Sequence, residues 1–292
     1  MEVGGIEVRY RTLDREKLEK LSVLKQLVAS YYGVQKERIA MGNRITMLIK
    51  EYGETENIKK LMDVYKESEV IEKTILKHIR PILREFPIYT EWLKYVMGIG
   101  EVLSAGLIAG IKTPERFENI SKLWKYCGLH VVNGEAPSRR KGAKVDWSPF
   151  MQTLCWKIGE SFVKTRGFYR QMYDIFKKDE ERKSEEGIVR EIDKCIGYVP
   201  RDEEVIEIVG NTPLTKAKIE KLKKKGFKEL RVGLTRAHVH ARAKRKTVKL
   251  FIAHLWIKWR QLEGLPITKP YANVILGHSE FIEPPEPING KI

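Results

Sequence analysis

The chain has 292 residues, and its 55 Lys and Arg against 39 Asp and Glu give a net charge of +16. This excess favours a polyanionic partner, nucleic acid before an acidic membrane surface. The chain has no apolar run of the ~18 residues that a transmembrane helix needs and no apolar signal core at its N-terminus, so we expect a soluble, cytoplasmic protein without a membrane partner.

Residues 1–90 carry apolar side chains at helical spacing. The pattern predicts one helix over about 12–52, broken or bent at Gly33, and a second over about 56–86, interrupted or kinked at Pro81. The region holds 17 basic and 14 acidic residues and is nearly neutral. Long, near-neutral amphipathic helices are typical of an interaction arm. We favour an antiparallel coiled-coil arm that forms a homodimer, with a bundle packed on its own chain as the alternative.

Gly98, Ile99 and Gly100 follow this arm and lie between two apolar helical patterns. Two helices joined by a Gly-Ile-Gly turn form a helix-hairpin-helix motif. Its glycines let the backbone approach a phosphate, and the N–H groups of the second helix favour an anion. The same three residues also suit a plain corner between helices in an all-α core.

A basic loop comes next. Thr113 with Pro114 and Ser148 with Pro149 each predict a helix start, and residues 130–146 are predicted as a loop or small β element. The loop contains Ser138, followed by the basic side chains that suit a phosphate backbone: Arg139, Arg140, Lys141 and Lys144.

A second helix-hairpin-helix is predicted over residues 208–230, with a longer turn after Gly210. Residues 216–249 hold fourteen basic and two acidic side chains, a net charge of +12. Repulsion within such a segment costs stability, which an anionic partner would offset. The candidate phosphate-binding residues of this hairpin are Thr215, Lys216, Lys218, Lys221 and Lys224.

A long helix is predicted from Thr235 to about Leu262. We expect one apolar face against the protein and an opposite basic face outward, along a nucleic-acid backbone. That basic face comprises Arg242, Arg245, Lys246, Lys249 and Arg260. Residues 266–292, which are rich in proline, are predicted to be a wrapping or disordered tail.

Residue types for catalysis or metal binding are sparse. His238 and His240 are two positions apart, so on a helix they point to different faces and suit no shared ion. Cys127, Cys155 and Cys195 suggest neither a disulfide framework nor a zinc site. No phosphate-binding loop or dinucleotide fingerprint occurs. We therefore expect no metal and no cofactor.

Residues 93–178 resemble the C-terminal domain of an insertion-sequence transposase family related to the pilin-gene invertases. The ordered matches are Gly98-Ile99-Gly100 with Ser104-Ala105, Arg116-Phe117, the Leu123–Leu129 segment, the basic loop and the Phe150–Phe162 helix. The resemblance implies a DNA partner and a helical dimerisation arm. It also implies an N-terminal nuclease-like domain and a catalytic serine in the loop, and some family members use a bridging RNA.

The chain departs from that pattern. Its first 90 residues are predicted as helices rather than as the strands of a nuclease domain. Ser138 is the only loop serine and lacks the family's surrounding Ser-Gly pattern, so it is a weak catalytic candidate. The chain resembles a shortened relative that binds nucleic acid, and the resemblance implies that a mobile element of an archaeon carries it. Its 32% of charged residues favours a thermophilic source.

The predicted fold is mainly α, with a long N-terminal helical arm, a helical domain with two helix-hairpin-helix motifs and a long basic C-terminal helix. The predicted parts are 1–90, 91–200, 201–265 and the tail 266–292. The favoured function is non-enzymatic DNA binding. The alternatives are a transposase or recombinase that uses Ser138, and an RNA-binding protein.

Overall fold

The computed structural model describes residues 14–131, 136–138, 141–267, 282–287 and 290–292. The described chain is mainly helical, as predicted. It divides into two compact units, one of residues 1–158 with 252–292 and one of residues 159–251. The predicted four-part division groups the residues differently and stays a prediction. Within the described residues, no helix is both long and apolar enough to cross a membrane.

Two long helices form the N-terminal arm. Helix α1 (Arg15–Tyr52) begins at Asp14, whose side chain accepts a hydrogen bond from the Lys17 N–H. It continues through Gly33, so the break considered there is absent. Helix α2 (Glu56–Arg84) begins at the Thr55 cap and contains Pro81.

The two arm helices run antiparallel. Lys20 pairs with Glu85 near one end, and Arg38 pairs with Glu72 further along. Near the connection between the helices, a Cβ on Gly42 would lie 3.1 Å from the Tyr65 ring. As the residue number rises along α1, the number of its partner on α2 falls, which is the pattern of an antiparallel pair. The two arm helices therefore pack antiparallel on each other within one chain, whereas the predicted coiled-coil pairing with a second subunit stays a prediction.

Helix α4 (Glu101–Ile111) lies in the core of the first unit, with every residue from Ser104 to Ile111 buried. A Cβ added at Gly106 would lie 2.9 Å from a Leu154 methyl carbon, and one at Gly110 would overlap the Met151 sulfur. The two glycines therefore allow the helix that carries Met151 and Leu154 to approach closely. The remaining elements described here are α3 (Pro87–Glu91), the 3-10 turns Leu93–Tyr95 and Pro114–Arg116, α5 (Ile120–Tyr126) and α6 (Pro149–Lys164).

The second unit contains a small sheet that the sequence analysis did not predict. Strands β1 (Ile188–Glu191) and β2 (Val199–Pro200) both pair antiparallel with β3 (Glu229–Gly233), which lies between them. A buried cluster that includes Val205, Ile219 and Leu230 joins the sheet to two short helices. The helices of this unit are α7 (Phe168–Glu186), α8 (Glu203–Val209) and α9 (Lys216–Lys224).

Helix α10 (Arg236–Leu262) confirms the predicted long last helix. The prediction of an outward basic face is wrong for its last turns. Arg260 is only 6% exposed, and its guanidinium donates to the carbonyls of Pro114, Phe117 and Pro266. The Arg260 guanidinium therefore binds backbone carbonyls inside the first unit and does not face outward toward an external anion.

Candidate nucleic-acid interface

The turn at Gly98–Gly100 places one apolar side chain inward. Ile99 is buried, and its N–H donates to the Val96 carbonyl at 3.0 Å. Gly98 has a φ of 92°, which favours glycine. Gly100 has an extended backbone, is exposed and would leave a Cβ in open space. Of the three predicted contacts, Gly100 therefore has the geometry best suited to a close phosphate.

Helix α4 begins directly after this turn. Gly100 is its N-cap, and no side chain caps it. The first N–H groups of a helix lack partners inside the helix, so they are ready donors for an anion. Glu101 stands at the first helical position and pairs with Arg80 at 2.8 Å. This carboxylate opposes a nearby phosphate, and Arg80 partly compensates.

The last described residues of the chain lie against the same turn. The Ile292 N–H donates to the Tyr95 carbonyl at 2.8 Å, and the Met97 N–H donates to the Ile292 carbonyl at 3.2 Å. The Trp92 indole donates to the Pro285 carbonyl. The predicted wrapping of the tail is thus present over these residues.

The basic loop lies partly outside the described residues, because Arg139 and Arg140 are not among them. Lys141 and Lys144 are exposed, and so is Ser138. Near the end of the loop, Asp146 accepts from Lys125 at 2.9 Å, and this contact holds the pKa of the Asp146 carboxyl below its usual value. The structure leaves the assignment of Ser138 as a nucleophile a prediction.

The second predicted hairpin consists of α8, a turn and α9. Gly210 ends α8 with a φ of 78°. Thr215 caps α9 by accepting from the Lys218 N–H. The turn is fixed by two backbone hydrogen bonds of 2.8 Å, from Gly197 N–H to the Leu214 carbonyl and from Leu214 N–H to the Tyr198 carbonyl. The hairpin is therefore held on a rigid support.

Several lysines lie on this hairpin. The ammonium of Lys218 contacts the Thr212 hydroxyl, and that of Lys221 donates to the Ile208 carbonyl at 3.2 Å. The Lys218 ammonium is thereby held at the turn, and the Lys221 ammonium is held at the C-terminal end of α8. Within the described residues, the exposed side chains of Lys216, Lys224, Lys225 and Lys228 form no ion pair. These lysines are thus exposed cations without an ion-pair partner in the described part of the chain, whereas α8 of the same hairpin presents the exposed carboxylates of Glu203, Glu204 and Glu207.

The basic residues of α10 in the second unit are in a different position. Arg242 and Lys246 both bind the carboxylate of Glu180, at 3.2 and 2.5 Å, and that side chain is only 3% exposed. Lys246 also binds Asp179. Burial lowers the pKa of Lys249. The predicted basic face is therefore partly neutralised within the chain, which the helical pattern of α10 alone could not indicate.

The three cysteines are buried with free thiols. Burial raises the pKa of Cys195 to about 11 and that of Cys127 well above its usual value. Thiols in this state are poor nucleophiles. Among the described residues, no group of three or more His, Cys, Asp or Glu side chains is placed to hold a metal ion.

Residues 90–148 match the model of the transposase IS116/IS110/IS902 family. The matched segment contains the Gly98–Gly100 turn, α4, α5 and the basic loop. No curated protein matches the chain. The resemblance found in the sequence is confirmed for this segment, which is similar to a transposase domain, and the α8–α9 hairpin lies outside the match.

Proposed function

We propose that this chain is a non-enzymatic DNA-binding protein of a mobile genetic element. The observation behind the proposal is that α9 presents exposed lysines that form no ion pair within the described residues, in a chain that also contains a transposase-like segment. Lysines held around a fixed turn suit a phosphate backbone, which they would bind largely independently of base sequence.

The start of α4 is the second proposed contact. Its uncapped N–H groups and the exposed Gly100 favour one phosphate. Lys141 and Lys144 on the neighbouring loop add positive charge within the matched segment. This site would supply few contacts, so most of the electrostatic attraction would come from the hairpin.

The test is a titration of duplex DNA at several salt concentrations. If six to ten phosphates are neutralised, affinity should fall roughly 10³–10⁵-fold between about 50 and 200 mM salt. The informative variant replaces Lys216, Lys221 and Lys224 by Gln. Its salt slope should fall by about one unit for each lost contact.

A matched control variant replaces Lys60, Lys73 and Lys77 by Gln. These three lysines are also exposed, but they lie on the near-neutral arm. The control has the same charge change, so it should bind DNA almost as the unaltered protein does. Equal losses in the two variants, or a flat salt dependence, would contradict the assignment of the interface.

An active transposase that uses Ser138 is the alternative enzyme function. The observation in its favour is that Ser138 is exposed within the matched segment. A strand-transfer assay with Ser138→Ala decides the matter, since activity that persists removes this serine from the reaction. RNA is the alternative partner, and competition between duplex DNA and RNA in one titration separates it from DNA.

The arm is proposed to form a homodimer. Its exposed apolar side chains include Met47 at 69% and Val70 at 60%. A groove of about 610 Å³ between α1 and α2 is lined by Ile39, Met62 and Tyr65 among others. Burial of such side chains against a second copy would be favourable. Sedimentation equilibrium with Met47→Lys should shift the protein toward monomer if this surface is the interface.

A further inference from the structure

The second unit carries an aromatic and basic cluster beside the α8–α9 turn. It consists of Arg190 on β1, Tyr198 after the Gly197 turn and His238 in the first turn of α10. The Arg190 guanidinium carbon lies 4.6 Å from the Tyr198 ring centroid. The ring centroids of Tyr198 and His238 are 6.4 Å apart, and the ring planes are inclined by 40°. We name this cluster the base platform.

The two rings of the base platform are not in stacked contact. In the same unit, the stacked pair Phe162 and Tyr169 has a centroid distance of 4.7 Å and an angle of 22°. The Tyr198–His238 pair is wider and more inclined. A base between two rings needs about twice the 3.4 Å step between bases of a strand. A small rotation of the exposed His238 side chain would supply that space.

Tyr198 itself is held in place. It packs partly against the buried cluster of the unit, and its carbonyl accepts the hydrogen bond from the Leu214 N–H. Leu214 directly precedes Thr215, which caps α9. A backbone hydrogen bond therefore joins the base platform to the α8–α9 turn, where Thr212 contacts the Lys218 ammonium. A strand with its phosphates on that turn would have a base within reach of Tyr198.

We propose that the base platform binds an unpaired nucleobase of a nucleic-acid strand whose phosphates contact the α8–α9 hairpin. An aromatic ring with a guanidinium nearby is the combination that stacks on unpaired bases irrespective of their identity. A fully paired duplex offers no such base. The inference rests on the proposed nucleic-acid binding and adds to it a preference for gapped or single-stranded sites.

The test uses two probes of identical charge. One is a duplex with a short central single-stranded gap of thymidines, and the other has abasic nucleotides at the same gap positions. The unaltered protein should bind the thymidine probe roughly 5- to 100-fold more tightly than the abasic probe. Tyr198→Leu should abolish this difference, whereas Tyr198→Phe should keep it.

Equal affinity of the unaltered protein for the two probes would overturn the inference while leaving the proposed DNA binding in place. Binding to neither probe and to no duplex would overturn both. His238→Ala is the second variant, because its exposed side chain can be removed without touching the core. A reduced preference for the thymidine probe supports the platform, and an unchanged preference in both Tyr198→Leu and His238→Ala refutes it. A gap of uridines tests whether RNA supplies the base.

Discussion

Gly98 and Gly100 flank the same buried isoleucine but have different backbone conformations, with φ values of 92° and −81°. Only the first requires glycine. The two glycines of the turn therefore have separate roles. Gly98 allows the positive φ of the turn, and Gly100 leaves the first N–H groups of α4 without a side-chain cap.

Gly98→Ala should lower the free energy of unfolding by about 1–3 kcal/mol, because the side chain is strained at that φ. Gly100→Ser should keep or raise stability, since serine is a good N-cap for α4. The same serine would compete with a phosphate for the helix N–H groups and weaken DNA binding. Urea denaturation and fluorescence anisotropy measure the two effects. A stable Gly98→Ala variant would contradict the backbone argument.

Gly110 and Gly33 form a second contrasting pair. A Cβ on Gly110 would overlap Met151, whereas one on Gly33 meets nothing within 4 Å. Gly110→Ala should destabilise the protein by about 1–3 kcal/mol through overpacking. Gly33→Ala, in the interior of α1, should stabilise it by about 0.5–1 kcal/mol. Thermal unfolding of both variants checks the opposite signs.

Glu180 is predicted to stabilise the packing of α10, because its buried carboxylate pairs with two cations of that helix. Glu180→Ala should lower the free energy of unfolding by about 1–3 kcal/mol, because Arg242 and Lys246 lose a buried acceptor but remain able to reach water. Glu181→Ala is the control on the same helix, since Glu181 is half-exposed and lies 3.8 Å from its partner Lys177. We expect the control to change stability by less than about 0.5 kcal/mol.

His254 predicts a pH dependence. Burial lowers the pKa of its imidazole to about 4, and its Nε2 lies 2.8 Å from the Ile282 carbonyl oxygen. In the unfolded chain the imidazole has its ordinary pKa of about 6.5, so it is protonated below that pH, whereas in the folded protein it stays neutral down to about pH 4. Stability should therefore fall as the pH drops from about 6.5 to 4, by on the order of 2–4 kcal/mol. His254→Gln should remove this dependence in urea titrations, whereas exposed His78→Gln should not.

Asp179 predicts a second pH dependence at lower pH. Its hydrogen bond to Lys183, with help from Lys246, lowers the pKa of its carboxyl to about 2. A depressed carboxyl pKa stabilises the folded state above the unfolded pKa, so this contribution should be lost as the pH falls from about 4 to 2. The stability difference between the unaltered protein and Asp179→Asn should shrink over that window. A constant difference would contradict the assignment.

Local structure could be predicted from the sequence where a single residue determines where a helix begins. Thr235 was predicted to open the last helix, and its hydroxyl accepts a hydrogen bond from the His238 N–H. The small sheet was missed because β1 and β2 are only four and two residues long, which is too short for an alternating pattern to be distinguished. The third strand, β3, begins within residues 208–230, for which the sequence predicts a helix-hairpin-helix.

The candidate interface was less predictable than the fold. The charge count identified the 216–249 segment but could not tell which cations have acidic partners elsewhere in the chain. Arg242 and Lys246 bind Glu180, which is distant in sequence, whereas Lys216 and Lys224 have no such partner among the described residues. Helical periodicity likewise gave the spacing of Arg260 correctly, but it could not show that carbonyl oxygens of Pro114 and Phe117 surround its guanidinium.

The ion pair between Arg38 and Glu72 fixes the register of α2 along α1. Both side chains are largely buried, and the pair is supported by a hydrogen bond from Arg38 to the Tyr65 hydroxyl. If α2 slid along α1 by one helical turn, about 5.4 Å, both charges would lose their partners, which costs on the order of 3–5 kcal/mol. The two arm helices therefore have one stable register, and the arm acts as a rigid spacer. A partner bound at the connection between α1 and α2 would therefore be held at one distance from Gly98, which lies in the same compact unit.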